Sequence, residues 1–451
     1  MRPNIVLYFT DQQRADTCGC YGQPLDITFH LNQLAREGVQ FDWAMSPQPV
    51  CGPFRAMLQT GQWPTTTGCF RNNVMLPQGI PTLAQYMQQA GYETAYIGKW
   101  HLASDGGLEQ KPLIDHTTRA VPAAYRGGYE GYWMASDVLE FTSDGYQGFV
   151  FDKEDKRQDF VGYRPDCITD FALDFFPQRD QSKPFFMTIS HIEPHHQNDA
   201  GHYQGPEGAK ERFKDFTLPG DLDLPYGDAR QEYPDYLGAC HSLDENLGRL
   251  IARLKAEGLY DNTVIFFFSD HGAHFRTRNR DGHLQGFDDY KRSCHDAALH
   301  VPLVIAGGPY TGGKRVRDIV STASLPKSIL ALAGVDIGQD MIGEDLLQVA
   351  LGLNPLRDNE AFSQISESRV GRSLRTPLYT YAVYAPGING GEKASSEHYV
   401  DDFLYDLRDD PHQQHNLINN PLYQDEKLQL RQRLLRQILR AEGLRPLITD
   451  A

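Results

Sequence analysis

The sequence predicts an α/β protein: a mostly parallel sheet sandwiched by helices, with a smaller C-terminal α+β lobe. Two observations predict it. Short, mainly apolar runs at 5–9, 185–190 and 263–268 alternate with helical patterns, and strands apolar along their whole length belong to sheets covered on both faces. Past about residue 355 the pattern changes to shorter strand-like segments and one terminal helix. A chain of 451 residues has room for a large domain over 1–355 and a subdomain over 356–451.

Each element has its own signal. The run 5–9 is the first strand and ends in Asp11-Gln12. Segment 30–38 reads as a helix with Leu31, Leu34 and Ala35 on one face and Gly38 as its stop. A second helix spans about 81–90, and strand 92–97 runs from it into Gly98-Lys99-Trp100-His101. Segment 104–166 is rich in Gly, Tyr, Phe, Trp and Asp without helical periodicity. It reads as an insertion of irregular structure or short strands lying over the active face. Helix 170–176 and strand 185–190 follow, the latter leading to His195 and His196. After a polar loop at 200–236 comes an amphipathic helix at 237–257, with Leu243, Leu247, Leu250, Ile251 and Leu254 at helical spacing. Strand 263–268 ends at Asp270-His271, strand 301–306 follows, and 325–333 is helical. In the C-terminal part, 361–367, 378–384 and 399–407 read as strands and 421–442 as a helix.

Composition narrows the partners. A formal net charge of −16 argues against nucleic acid and anionic membrane surfaces as partners, and no stretch approaches transmembrane length. Met1-Arg2-Pro3 runs straight into the first strand with no leader pattern, and the seven cysteines are odd in number and scattered. Both point to reduced thiols and a cytoplasmic location. Cys18-Gly-Cys20 has no second pair nearby to complete a metal site.

The chemistry gathers around Cys51-Gly-Pro-Phe-Arg55. Pro53 suits the first turn of a helix, where its missing N–H has no intrahelical partner, and Gly61 is a natural stop. Cys51 then sits at a helix N-terminus, which favours negative charge, and Arg55 lies one turn on with a fork of donors suited to an oxyanion. Ligands of open α/β sheets bind beyond the carboxyl ends of the strands. Four expected strands end there in ionisable residues: Asp11 with Gln12, Lys99 with His101, His195 with His196, and Asp270 with His271.

Cys51-x-Pro53-x-Arg55 with a following Thr60-Gly61 resembles the signature of the type I sulfatases, members of the alkaline phosphatase superfamily. Gly98-Lys-Trp-His101, Pro194-His195, Lys291 ahead of 301–303, and the segment 404–411 resemble further segments of that family. The resemblance covers nearly the whole chain. It implies an alkaline-phosphatase-like fold, sulfuric-ester hydrolysis, and conversion of Cys51 to Cα-formylglycine by a formylglycine-generating maturation enzyme. It implies a divalent metal, Ca²⁺ first and Mn²⁺ second, on Asp11, Gln12, Asp270 and His271. Gln12 stands where many members have Asp, and His271 where many have Asn; imidazole suits softer ions than Ca²⁺. The remaining implied roles fall to Arg55, Lys99 and Lys291 against sulfuryl charge, His195 or Lys291 as acid, and His101 as base.

The expected substrate is a small-molecule or oligosaccharide sulfate ester, in particular a sulfated acidic saccharide. Arg276, Arg278 and Arg280, with His274 and His295, are candidates to meet its second anionic group, and the aromatic stretch 125–151 to wall a pocket above Cys51. Two alternatives use the same residues: a phosphonate monoester or phosphodiester hydrolase, and a catalytically silent glycan-binding relative. The Gly98–His101 segment favours the sulfatase.

Overall fold

The structure, a computed structural model, describes residues 2–106, 113–279, 290–335 and 341–450. Alternation along strand Asn4–Asp11 sets its layers. Ile5, Leu7 and Phe9 enter one apolar cluster, Val6 and Tyr8 another. Strand Thr263–Ser269 repeats this, with Val264, Phe266 and Phe268 on the first side and Ile265 and Phe267 on the second. Such strands must be covered on both faces. Helices Cys51–Thr60, Leu83–Gln89 and Leu325–Leu332 supply the first cover; Phe29–Glu37, Arg164–Leu173 and Ala229–Ala256 supply the second.

The strands of the main sheet are β1 (Asn4–Asp11), β2 (Val39–Met45), β3 (Glu93–Lys99), β4 (Tyr132–Ser136), β5 (Gln147–Asp152), β6 (Arg157–Val161), β7 (Phe185–Pro194), β8 (Thr263–Ser269), β9 (His300–Val301), β10 (Leu303–Ala306) and β11 (Lys314–Ser321). Their order is β11-β2-β10-β8-β1-β7-β3-β4-β5-β6, with β9 beside β2. β8, β1, β7, β3 and β4 run parallel, while β10 is antiparallel to both β8 and β2. The four strands carrying the ionisable ends, β8, β1, β7 and β3, are consecutive neighbours. Their residues therefore meet at one rim.

A second sheet holds β12 (Ala361–Ile365), β13 (Gly371–Arg375), β14 (Tyr379–Tyr384), β15 (His398–Asp406) and β16 (Leu447–Thr449) in that order, antiparallel except for the last pair. Helix Gln424–Glu442 lays Leu430, Leu434 and Ile438 on Leu374, Tyr381 and Leu404. This lobe grips the loop leading into the Cys51 helix: Gln364 N donates to Pro47 O (2.8 Å), Ser363 Oγ to Ser46 O (2.7 Å) and Gln48 Nε2 to Ser366 Oγ (2.6 Å).

Several expectations need correction. The stretch 104–166 takes the short-strand form of its two expected alternatives, but in the main sheet and not as a cover: β4, β5 and β6 extend that sheet, and Tyr129 and Trp133 pack in its core against Tyr96 and Trp100. The long helix starts at Ala229, inside the expected loop, and runs through Pro234 in its second turn, a residue that usually argues against a helix interior. The helix expected at 170–176 begins at Arg164, with a Pro in its first turn. The run 301–306 is two strands, split at Pro302, which has no N–H for the ladder. β2, β11 and β13 have no counterpart among the expected strands; β11 is a charged edge strand, whose Lys and Arg blunt further pairing and mask its period.

Candidate active site

Cys51 opens its helix at a buried position where three strand ends and one loop converge. Its Sγ lies 3.2 Å from Asp11 Oδ1, 3.4 Å from His271 Nε2 and 3.2 Å from Lys291 Nζ. Burial raises the thiol pKa, but Lys291, Lys99 and hydrogen bonds from His101 and His195 outweigh it and hold the thiol well below its ordinary value. The structure brings Cys51, Asp11, His271 and Lys291 into direct contact.

Asp11 anchors the cationic side. Its Oδ2 accepts from Lys99 Nζ (2.9 Å) and Arg55 Nη2 (3.1 Å). Arg55 spends its other terminal nitrogen on Lys99 O (2.6 Å) and Ser190 Oγ (2.7 Å) and stacks over Phe9. It therefore braces Asp11 and the strand ends beside Cys51, while its buried Nε has no hydrogen-bond partner among the described residues. Lys99 also reaches Glu140 Oε1 (2.7 Å). Sequence reasoning missed Glu140, which lies on the short helix Leu139–Thr142 inside the insertion and has no motif around it. Asp137 was missed too: its carboxylate accepts from Leu102 N and Ala103 N (2.9 Å each) and its carbonyl from His101 N (2.6 Å). Those bonds hold His101 at a φ of +60°, a conformation uncommon outside glycine.

The histidines resolve by their partners. His195 Nδ1 faces the His196 carbonyl (2.5 Å), so Nδ1 carries the proton and Nε2 accepts from Lys291 Nζ at 2.6 Å. His196 turns away and stacks on Tyr290, ring centroids 4.4 Å apart. His271 Nδ1 faces Gly272 O (3.0 Å), which leaves the Nε2 lone pair aimed at Cys51 and 3.6 Å from both Asp11 Oδ1 and Asp270 Oδ2.

These side chains fit a cation. One ligand atom each from Asp11, Cys51, Asp270 and His271 all lie within 4.8 Å of one another. Asp270 Oδ1 accepts from Gln12 N (3.0 Å) and His271 N (2.8 Å), but its buried Oδ2 has no hydrogen-bond partner among the described residues. Burial and the Asp11 charge push Asp270 up to about 6. A divalent ion would satisfy that oxygen and relieve that repulsion. Gln12, at a φ of +72°, has its carboxamide oxygen on His196 N (3.0 Å) at the edge of this group.

Of the residues expected to meet a second anionic group, Arg278 and His295 line one cleft between the lobes, while the others separate from it. Arg276 pairs with Asp228 and lies over Tyr290, His274 is buried, and Arg280 falls outside the described residues. Arg278 donates to the carbonyls of His412 and Gln413, and His295 contacts Ser293 Oγ and Tyr405 OH where the lobes meet. Of the 125–151 aromatics, Tyr129, Tyr132 and Trp133 pack in the core and so do not wall a pocket above Cys51, while Phe141 and Tyr146 are exposed.

Comparison with known proteins decides the family. The sulfatase family model matches residues 3–335. The chain belongs to the sulfatase family. This sulfatase is a sulfuric-ester hydrolase of the alkaline-phosphatase-like fold. It is 32% identical over 447 residues to an ulvan-active sulfatase of Formosa agariphila, covering 94% of this chain and 78% of the relative. It is 25% identical to an N-acetylglucosamine-6-O-sulfatase of Bacteroides thetaiotaomicron, covering 96% and 86%. The crystal structure of the yidJ sulfatase-family protein of Bacteroides fragilis superposes with a TM-score of 0.82 at 25% identity, covering 98% of this chain and 96% of that one. None of the seven cysteines, all among the described residues, is in a disulfide, and none of the described helices is long and apolar enough to cross a membrane.

Proposed function

We propose that the sulfatase removes sulfate from a sulfated acidic saccharide, with Cys51 oxidised to Cα-formylglycine by a maturation enzyme and a divalent metal held by Asp11, Asp270, His271 and the Gln12 carboxamide. The names of the two sugar-sulfate relatives support the substrate class. The observation that carries the chemistry is the convergence of a carboxylate, an imidazole and an ammonium within 3.4 Å of Cys51 Sγ, the atom that marks where the oxygens of the modified residue would lie. The two carboxylates and the amide suit Ca²⁺, the ion the family resemblance implies, and His271 keeps Mn²⁺ an alternative.

Once oxidised and hydrated, residue 51 would supply a hydroxyl for attack on sulfur, and a metal held by Asp11, Gln12, Asp270 and His271 would ease loss of that hydroxyl's proton. Lys291 and Lys99 set positive charge along the cavity where charge on the sulfuryl oxygens must be met. Arg55 and Lys99 keep Asp11 ionised and oriented. The proton shared by Lys291 Nζ and His195 Nε2 goes to the leaving oxygen, so the S–O bond breaks to give a neutral alcohol. His101 serves the second half as base, taking a proton from residue 51 as sulfate departs; its Nδ1 has no partner among the described residues.

The test uses protein co-produced with a maturation enzyme. Mass spectrometry of the peptide around 51 should show loss of the thiol and gain of an aldehyde. A panel of sulfate, phosphate and phosphonate esters should show sulfate turnover that Cys51→Ala abolishes while the fold is kept. Full activity of Cys51→Ala, or turnover confined to phosphonates, overturns the reading.

A further inference from the structure

A second cleft opens where the two lobes meet, with a volume of about 310 Å³, near the lower end of the roughly 300–1,000 Å³ of small-ligand sites. Its walls differ. Arg278, Arg292 and Arg369 contribute one side, and Tyr384, Pro386 and Ile388 the other. Among the described residues no carboxylate lines it. Glu367, paired with Arg292 at 3.2 Å, and Asp402, paired with Arg369 at 2.5 Å, anchor two of the guanidiniums from outside the lining. In a chain of net charge −16, three arginines in one cleft depart sharply from the average surface. Two polar atoms of the lining residues, Arg278 Nε and Ser368 Oγ, have no hydrogen-bond partner among the described residues.

The cleft adjoins the reaction site. Arg292 directly follows Lys291, whose Nζ lies 3.2 Å from Cys51 Sγ. Ser293 and His295, also in the lining, continue the same segment. Consecutive Cα atoms are about 3.8 Å apart, so one short piece of chain joins Lys291 beside Cys51 to the lining of the cleft.

We propose that this cleft is the subsite for an acidic sugar residue neighbouring the sulfated one. Its anionic substituent, a uronate carboxylate or a second sulfate ester, lies against Arg278, Arg292 and Arg369, and the apolar face of its ring rests on Tyr384, Pro386 and Ile388. A planar guanidinium matches either anion with paired N–H donors, and a sugar ring presents C–H groups to an apolar wall. The assignment rests on the saccharide reading above. It replaces Arg276 and the 125–151 aromatics as the determinant of acidic specificity.

Two measurements test it. The first is equilibrium binding of D-glucuronate, glucose 6-sulfate and D-glucose to the full chain carrying Cys51→Ala, which needs neither maturation nor turnover. Glucuronate or glucose 6-sulfate should bind more tightly than glucose. Arg278→Glu should weaken that binding ten- to a hundredfold, the usual worth of a charge-assisted contact. Arg278 is partly exposed and donates to the carbonyls of His412 and Gln413, so Arg278→Gln, which keeps a donor for them, should weaken the binding in the same direction with an unchanged Tm.

The second measurement is kcat/KM of matured enzyme on a sulfated disaccharide bearing a uronate, its carboxyl-reduced analogue and a disulfated counterpart. A preference for the uronate identifies the carboxylate as ligand, and one for the disulfate identifies sulfate. Arg278→Glu should reduce either preference at least tenfold. Equal binding of charged and neutral probes, or a preference indifferent to Arg278→Glu, overturns the cleft assignment even if sulfate esters are hydrolysed. Arg278-dependent binding of glucuronate by a protein that hydrolyses no sulfate ester would instead sink the sulfatase reaction and keep the cleft.

Discussion

Glu140 shows how much a single residue can weigh in a site built for an anion. It places a carboxylate against Lys99 where sulfate must be held; burial raises its pKa, yet Lys99, His101 and His195 draw it well below the carboxylate range. An ionised acid there weakens anion binding and speeds product release. Glu140→Gln should lower the inhibition constant for inorganic sulfate about tenfold, corresponding to roughly 1.4 kcal/mol, a conservative share of a close charge–charge interaction. An unchanged or higher constant in steady-state inhibition would refute the role. At Asp270 the expected effect is on stability. Ca²⁺ or Mn²⁺ at about a hundred times its dissociation constant should stabilise the protein by about 2.7 kcal/mol, read as a rise in Tm. Asp270→Asn should lose most of that rise, and a metal-independent Tm in the unsubstituted protein would count against the ligand set.

At the scale of the element, two local devices hold strand ends in place. Gly98 in β3 has a φ of +101°, and a Cβ there would sit 2.0 Å from the Ser190 carbonyl oxygen on β7. Gly98→Ala should cost about 3 kcal/mol or more through strain and loss of the β3–β7 fit, measured by denaturant unfolding. A loss under 1 kcal/mol would show the backbone can yield there. Beyond β1, Arg14 grips Asp221 with two parallel bonds of 2.9 Å in a buried setting. Burial raises Asp221, but Arg14 outweighs it and lowers the folded-state pKa. Its stabilisation is therefore complete above the unfolded value of about 3.9 and is lost as pH falls through the lower folded value. Asp221→Asn should cost about 3–5 kcal/mol at pH 7. The gap from the unsubstituted protein should shrink below about pH 4, and a gap independent of pH would contradict the pairing.

For the whole molecule, the C-terminal lobe matters to chemistry in the main domain because it holds the approach to Cys51. Gln48 bonds Ser366 Oγ of that lobe and Phe70 O (2.8 Å) of its own domain. Gln48→Leu removes one bond from each partner, though Ser366 Oγ still donates to Phe70 O, and should cost about 1 kcal/mol of stability. It should also lower kcat more than tenfold on an aryl sulfate, because reacting groups displaced by about 1 Å lose that order of rate. A fall in Tm with kcat unchanged would reduce the lobe contact to a purely structural one.

Signals that depend on near neighbours in the chain were legible in the sequence. The Cys51 helix needs only Pro53 near its start and Gly61 after its end, and the central strands need only unbroken apolar runs. With the family resemblance, those signals placed Asp11, Lys99, His195 and Asp270 at strand ends, and parallel pairing of β8, β1, β7 and β3 then brings them to one rim. Contacts between distant segments were decided by the tertiary structure alone. Glu140 matters because β4 lies beside β3 and carries the following helix to Lys99. Arg55 faces Asp11 and Ser190 because the strand ends close around it. The three-arginine cleft draws on residues about ninety positions apart, from two lobes. Local periodicity records which face of an element is apolar, but not which loop another sheet will press against it, since that is settled by burial of the whole surface at once.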